Sequence, residues 1–310
     1  MSRTIAVTRP EAGPETHRTR RASLGLLVVA GVLWGAGGLT GSLLARHTGL
    51  TSPAVATYRL GVGGLLLVIF FRCARRPMPR GRAAWTRIVA IALLAAEFQA
   101  SYFAAVDRVS VSLATLLTIG ASPVLVMIAE GVTGRRRIGS RAVVTLVLAV
   151  TGLTLLIGVP EGQRDLPTLL AGAGFALLAA AGFATLTLVG SRPVDGLDDL
   201  AGTGFGFTFG AVLLAPLATA AGGLTFTPSG SGLGLLLLLG VGPTAIAYAA
   251  YFRGLRSAPP ATAALMALLE PLVGTALSVA ILGDRLAPAG WAGAALLIVA
   301  LVLESRRATG

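Results

Sequence analysis

The sequence predicts an all-α integral membrane protein: ten transmembrane helices arranged as two five-helix repeats of opposite orientation. Three observations carry that expectation. Hydrophobic residues make up 55% of the 310-residue chain and charged residues only 12%, far too apolar for an ordinary water-soluble domain. The apolar residues gather into ten runs, each about long enough to cross a hydrocarbon core of roughly 30 Å. The second half of the chain also repeats the first at an offset of 148–149 residues, as an internal duplication would.

Taken in order, an N-terminal tail, 1–22, contains Pro10, Pro14 and five arginines and is expected to be mobile. The first run, 23–45, is too long for a signal-peptide core and is expected to stay as a helix. The second, 53–71, holds Arg59, the one basic residue inside an apolar run. The third, 88–106, carries Glu97, Gln99 and Tyr102. The fourth, 110–133, contains Ser122-Pro123, and the fifth, 142–159, closes a first repeat at 23–159. The second repeat, 167–303, begins with runs at 167–190 and 201–220. The latter has Gly202, Gly206 and Gly210 at the small-xxx-small spacing that lets helices approach closely. Runs at 232–252, with Tyr248 and Tyr251, at 260–282, with Glu270-Pro271, and at 286–303 complete it, leaving a short tail, 304–310.

The duplication is visible in ordered matches. Tyr102-Phe103 answers Tyr251-Phe252, Ser122-Pro123 answers Glu270-Pro271, and Gly134-Arg135-Arg136 answers Gly283-Asp284-Arg285. Five spans per copy is an odd number, so the second copy enters the membrane inverted. Arginine placement agrees. With both termini cytoplasmic, twenty of the 25 basic residues lie on the cytoplasmic side; only Arg46, Arg108, Arg164 and Arg285 lie outside, and Arg59 stays within a span. That is a strong positive-inside bias. It also accounts for the net charge of +12 without nucleic acid as a partner. The single cysteine, Cys73, excludes an intramolecular disulfide, and no Cys/His cluster suggests a metal or cofactor.

Inverted repeats place a binding site at the midplane between the copies and supply alternating access by rocking. Glu270 sits near that depth, where a carboxylate is costly and usually marks a pathway. It either faces a central cavity, binding solute or a proton, or hydrogen-bonds a neighbouring helix. The following Pro271, like Pro123 in the first copy, removes a backbone hydrogen bond and is expected to kink its helix. Glu97 shares a helix face with Ser101, and Gln99 shares another with Tyr102. At least one of these faces is expected to line the cavity. Glu97 is alternatively a buried partner for Arg59, which in turn grips a solute carboxylate or phosphate, reaches the interface or pairs with a glutamate. Trp34, Tyr102 and Tyr248 suit an amphipathic cavity wall. Tyr251 is either a further part of that wall or, near the membrane surface, an interfacial anchor; Glu130 reads as an interfacial partner for Arg135.

On these residues the chain resembles the drug/metabolite transporter superfamily, EamA type, over about residues 24–304. The matching pieces are Trp34-Gly35, Arg59, Tyr248 to Phe252, Leu269-Glu270-Pro271 and Leu282 to Leu286. The family's usual Gly-Glu-Arg is Gly283-Asp284-Arg285 here, and Gly134-Arg135-Arg136 in the first half. The resemblance implies a ten-helix 5+5 inverted repeat and export of a small metabolite; an amino acid or related compound is the leading expectation. The expected partners are that solute, the lipid bilayer and protons for coupling, with a homodimer left open and no cofactor. The competing reading is a membrane-embedded, Mg-dependent transferase using Asp195, Asp198 and Asp199 in the link after the sixth run.

Overall fold

The computed structural model describes residues 14–135, 138–158 and 165–309. Ten helices in this range are long and apolar enough to cross a membrane. They are α1 (Pro14–Thr48), α2 (Ser52–Cys73), α3 (Gly81–Val106), α4 (Val111–Val132), α5 (Ser140–Ile157), α6 (Leu166–Gly190), α7 (Asp199–Ala220), α8 (Gly230–Gly254), α9 (Pro260–Leu282) and α10 (Pro288–Thr309). Several outrun their apolar segments. α1 begins at Pro14 and not at 23, so residues 14–22 of the expected mobile tail are helical; residues 1–13 lie outside the described range. α3 begins at Gly81 and not at 88. The added turns carry Arg18, Arg20, Arg82 and Arg87, residues that suit the polar zone beyond the hydrocarbon. Of the arginines that argue for topology, Arg3, Arg9, Arg136, Arg137 and Arg164 also fall outside the described range.

Caps explain several helix starts. The side chains of Ser110, Asp165, Asp198 and Ser229 each accept a backbone N–H from the first turn of α4, α6, α7 and α8. Around the circumference Leu65, Ile69, Val144, Val147, Val212 and Leu238 stand exposed. Such an apolar surface suits contact with lipid, since each helix satisfies its own backbone groups.

The packing maps onto itself when each helix is exchanged for its counterpart five places along. α2 packs on α7 and α5 on α10. α1 contacts α8 and α9, as α6 contacts α3 and α4; α2 meets α8, as α7 meets α3. This is a ten-helix bundle of two repeated halves related by an approximate two-fold exchange. Glycine makes the closest seams. A Cβ on Gly35 of α1 would stand 2.6 Å from the Val273 Cβ and 2.8 Å from the Glu270 carbonyl oxygen of α9. The Gly202–Gly206–Gly210 ladder seats α7 against Ile91, Ala92 and Ala95 of α3.

Two helices depart from α geometry. In α8 the stretch Gly240–Ile246, around Pro243, forms a π turn, and the Thr244 hydroxyl donates to the Leu239 carbonyl at 2.9 Å. In α9 the α pattern stops after Met266 and resumes at Leu269. Pro271 has no N–H to give the Ala267 carbonyl, which accepts from the Glu270 N–H at 3.0 Å instead. α4, by contrast, continues as an uninterrupted α-helix through Pro123.

Candidate functional site

Between the halves lies a cavity of about 740 Å³, within the usual range for small-molecule sites. It opens at the end opposite the termini, where Ser42, Ser52, Val111, Ile157, Asp284 and Arg285 form its mouth, and deepens toward Trp34, Ser122, Phe183, Tyr248, Ala264 and Glu270. Of the residues expected to act here, Trp34, Arg59, Gln99, Tyr102, Tyr248 and Glu270 all line the wall, with Pro271 beside them. The Gln99–Tyr102 face of α3 is the one that meets the cavity.

Glu97 is a correction. It stands two residues from Gln99, more than half a turn round the helix, and so points away from the cavity toward α6. There its carboxylate accepts from the Ser101 hydroxyl at 2.9 Å and occupies the place that a Cβ on Gly182 would need. Among the described residues it forms no ion pair with Arg59. Tyr251 is a second correction. It is 1% exposed, and its hydroxyl shares a 2.7 Å hydrogen bond with Thr187 on α6. Its ring lies 5.0 Å from that of Trp34 and 5.8 Å from that of Phe183. It is part of an aromatic plug at the terminus-side end and not a surface anchor. Glu130 is likewise buried, 5% exposed, and accepts the Ala261 backbone N–H at the foot of α9.

The plug is reinforced below. Met266 and Leu268 are fully buried, and the Thr262 hydroxyl donates to Glu304 of α10 at 2.5 Å. Among the described residues no comparable seal covers the mouth, so they leave the cavity open at one end and closed at the other.

The cavity chemistry is specific. The Trp34 indole nitrogen and the Arg59 Nε are buried donors with no acceptor among the described residues. Each has hydrogens only to give, and an unmet buried donor costs roughly 1–3 kcal/mol. Glu270 supplies the opposite sign. Its side chain makes no hydrogen bond or ion pair among the described residues, although Arg59 lies near enough for its charge to act on Glu270, Tyr102 and Tyr248. Phe98, Phe103, Phe183 and Ile119 supply an apolar wall.

Sequence reading missed Phe183, the counterpart of Trp34 at an offset of 149, whose ring lies 6.0 Å from the indole. The offset itself points to it. The three aspartates of the acidic link are in different circumstances. Asp198 caps α7 and pairs with Arg76 at 2.7 Å, Asp199 is held by two donors of Arg256, and Asp195 is exposed. The described residues contain no group of three or more His, Cys, Asp or Glu placed to hold a metal.

Comparison with known proteins agrees with this architecture. The chain is 28% identical over 279 residues to the uncharacterized transporter YwfM of Bacillus subtilis, covering 90% of this chain and 92% of that one. It is 25% identical over 297 residues to the uncharacterized inner membrane transporter YicL of Salmonella typhimurium, covering 93% and 97%. A solved crystal structure superposes with a TM-score of 0.76 over 91% of this chain and 97% of the other, at 18% identity, a likeness of fold. The model of the EamA-like transporter family matches twice, at residues 21–158 and 170–306, once on each five-helix half; the chain belongs to that family and is a multi-pass membrane transporter.

Proposed function

We propose that this transporter is a secondary exporter of a small amphipathic metabolite, an amino acid or close relative, moved by alternating access and exchanged for protons at Glu270. The observation that carries the reading is the pairing of opposite unmet groups in one aromatic cavity. Trp34 and Arg59 present donors suited to a carboxylate, while Glu270 presents an acceptor suited to an ammonium group or a proton. The aromatic wall suits an apolar side chain, and the tyrosine and indole faces suit the cation. The arginine bias supports cytoplasmic termini in a cell membrane, so the open mouth faces outward.

The test uses purified protein in liposomes preloaded with one labelled amino acid at a time. Under the proposal an imposed pH difference drives the solute uphill. Glu270→Gln, a mimic of the protonated form, abolishes that uphill flux yet leaves exchange between equilibrated compartments. A mutant that still concentrates the solute on a pH difference alone removes Glu270 from the coupling role. Failure of every amino acid to exchange removes the substrate class.

A further inference from the structure

A second cavity, of about 350 Å³, lies at the terminus side where α1, the α8–α9 link and α10 meet. Arg20, Arg256 and Arg307 converge on it, together with the Ser257 and Thr262 hydroxyls. Two of the three cations have counter-charges. Asp199 holds Arg256 through two donors, and Glu304 lies 3.7 Å from Arg307 while its other oxygen accepts from Thr262. Arg20 forms no ion pair among the described residues. Among the described residues, the three arginines that line the pocket set against these two carboxylates leave one positive charge, gathered from three separate segments.

Guanidinium groups present planar forks of donors that match phosphate oxygens. One surplus charge matches the single negative charge of a phosphodiester. The surroundings suit such a group at a membrane edge. Leu24 and Pro259 form an apolar side of the pocket, and within two turns of Arg307 the exposed Val302 and Leu303 offer a lipid-facing strip of α10. Basic pockets between helix ends are a known kind of site for anionic headgroups.

We propose that this pocket binds a phosphate anion, the chemistry shared by an anionic lipid headgroup and free phosphate. The bound anion ties α1, the foot of α9 and α10 together under the aromatic plug, and so favours the state sealed at the terminus side.

The test is native mass spectrometry of the full-length protein in detergent, titrated separately with short-chain phosphatidylglycerol, short-chain phosphatidylcholine and inorganic phosphate. The expected result is saturable one-to-one binding of a phosphate anion that weakens about tenfold or more in the Arg20→Gln, Arg307→Gln double variant, the scale of lost charge-assisted hydrogen bonds. Arg72→Gln, an exposed change on the same side, leaves it intact. Binding of phosphatidylglycerol without inorganic phosphate identifies the lipid as the source; inorganic phosphate binding as well as the lipid identifies the free ion. Should the glutamine double variant fail to fold, Arg20→Lys, Arg307→Lys keeps the charge and is expected to bind more weakly than wild type for want of forked donors. The proposal falls if neither anion saturates, if phosphatidylcholine binds as well as phosphatidylglycerol, if whichever double variant folds binds as wild type, or if Arg72→Gln weakens binding as much.

Discussion

Tyr102-Phe103 in α3 and Tyr251-Phe252 in α8 are the same piece of the repeated unit, yet they sit at opposite ends of the bundle in opposite circumstances. Tyr102 lines the open cavity and shares a 2.8 Å hydrogen bond with Thr115 of α4. Tyr251 is buried in the plug and shares its bond with Thr187 of α6. The hydroxyl partners do not correspond. At an offset of 149 the counterpart of Thr115 is Ala264, and the counterpart of Thr187 is Gly38. Each tyrosine therefore has a hydroxyl partner in the position it now occupies, and its repeat-related alternative lacks one. A duplicated unit has thus become unequal at single side chains, in the direction that holds one end shut and the other open.

The largest expected effect comes from the seam on which an exchange of these positions would turn. Gly35→Val places a branched side chain where even a Cβ stands 2.6 Å from Val273. Overpacking of this kind costs about 1–3 kcal/mol, more where backbone must move. Transport is expected to fall at least tenfold with a lowered melting temperature, read by flux and by thermal unfolding in detergent. Its counterpart Ala184 already carries a Cβ, so Ala184→Gly should cost only about 1 kcal/mol. Equal losses at the two positions would erase the difference between the seams.

Next come the hydroxyls. Thr187→Val removes the partner of Tyr251 and should shift the balance toward opening at the terminus side by about 1 kcal/mol, or roughly fivefold. Gly38→Ser offers Tyr102 a partner in the exchanged position and should shift the balance the same way. Thiol labelling of Ala264→Cys from each side of sealed vesicles reads both. If the two variants move labelling in opposite directions, the tyrosines are not alternates of one another.

The smallest effect is expected at Glu97. Its carboxylate faces α6 and not the cavity, so Glu97→Gln should keep solute affinity within about twofold, whereas Gln99→Leu should weaken it by about 1 kcal/mol or more. Equilibrium binding to both variants decides. A loss confined to Glu97→Gln would put the working face of α3 on the wrong side.

These contrasts also mark how far a sequence reading reaches. Ten spans, their repeat and the cavity residues Trp34, Arg59, Gln99, Tyr102, Tyr248 and Glu270 follow from hydropathy, offset and rare polar residues, because the cost of a polar group in hydrocarbon leaves few explanations for it. Helix ends were less legible. Hydropathy marks where lipid begins, whereas α1 and α3 continue beyond it on arginine-bearing turns. The orientation of Glu97 and the burial of Tyr251 were hidden for another reason. Both depend on which neighbouring helix comes close, and so on Gly182 and Thr187 in α6, distant in sequence. The π turn at Pro243 shifts the phase of α8 by a residue, and a regular helical period does not anticipate it.

The break in α9 carries one more consequence. The N–H that captures the Ala267 carbonyl belongs to Glu270, whose carboxylate reaches into the cavity. Lever and fulcrum are thus a single residue. Force applied to the side chain by an arriving cation or a departing proton acts with no intervening linkage on the joint between the two segments of the helix, and the lower segment ends in the packed foot that keeps the far end shut.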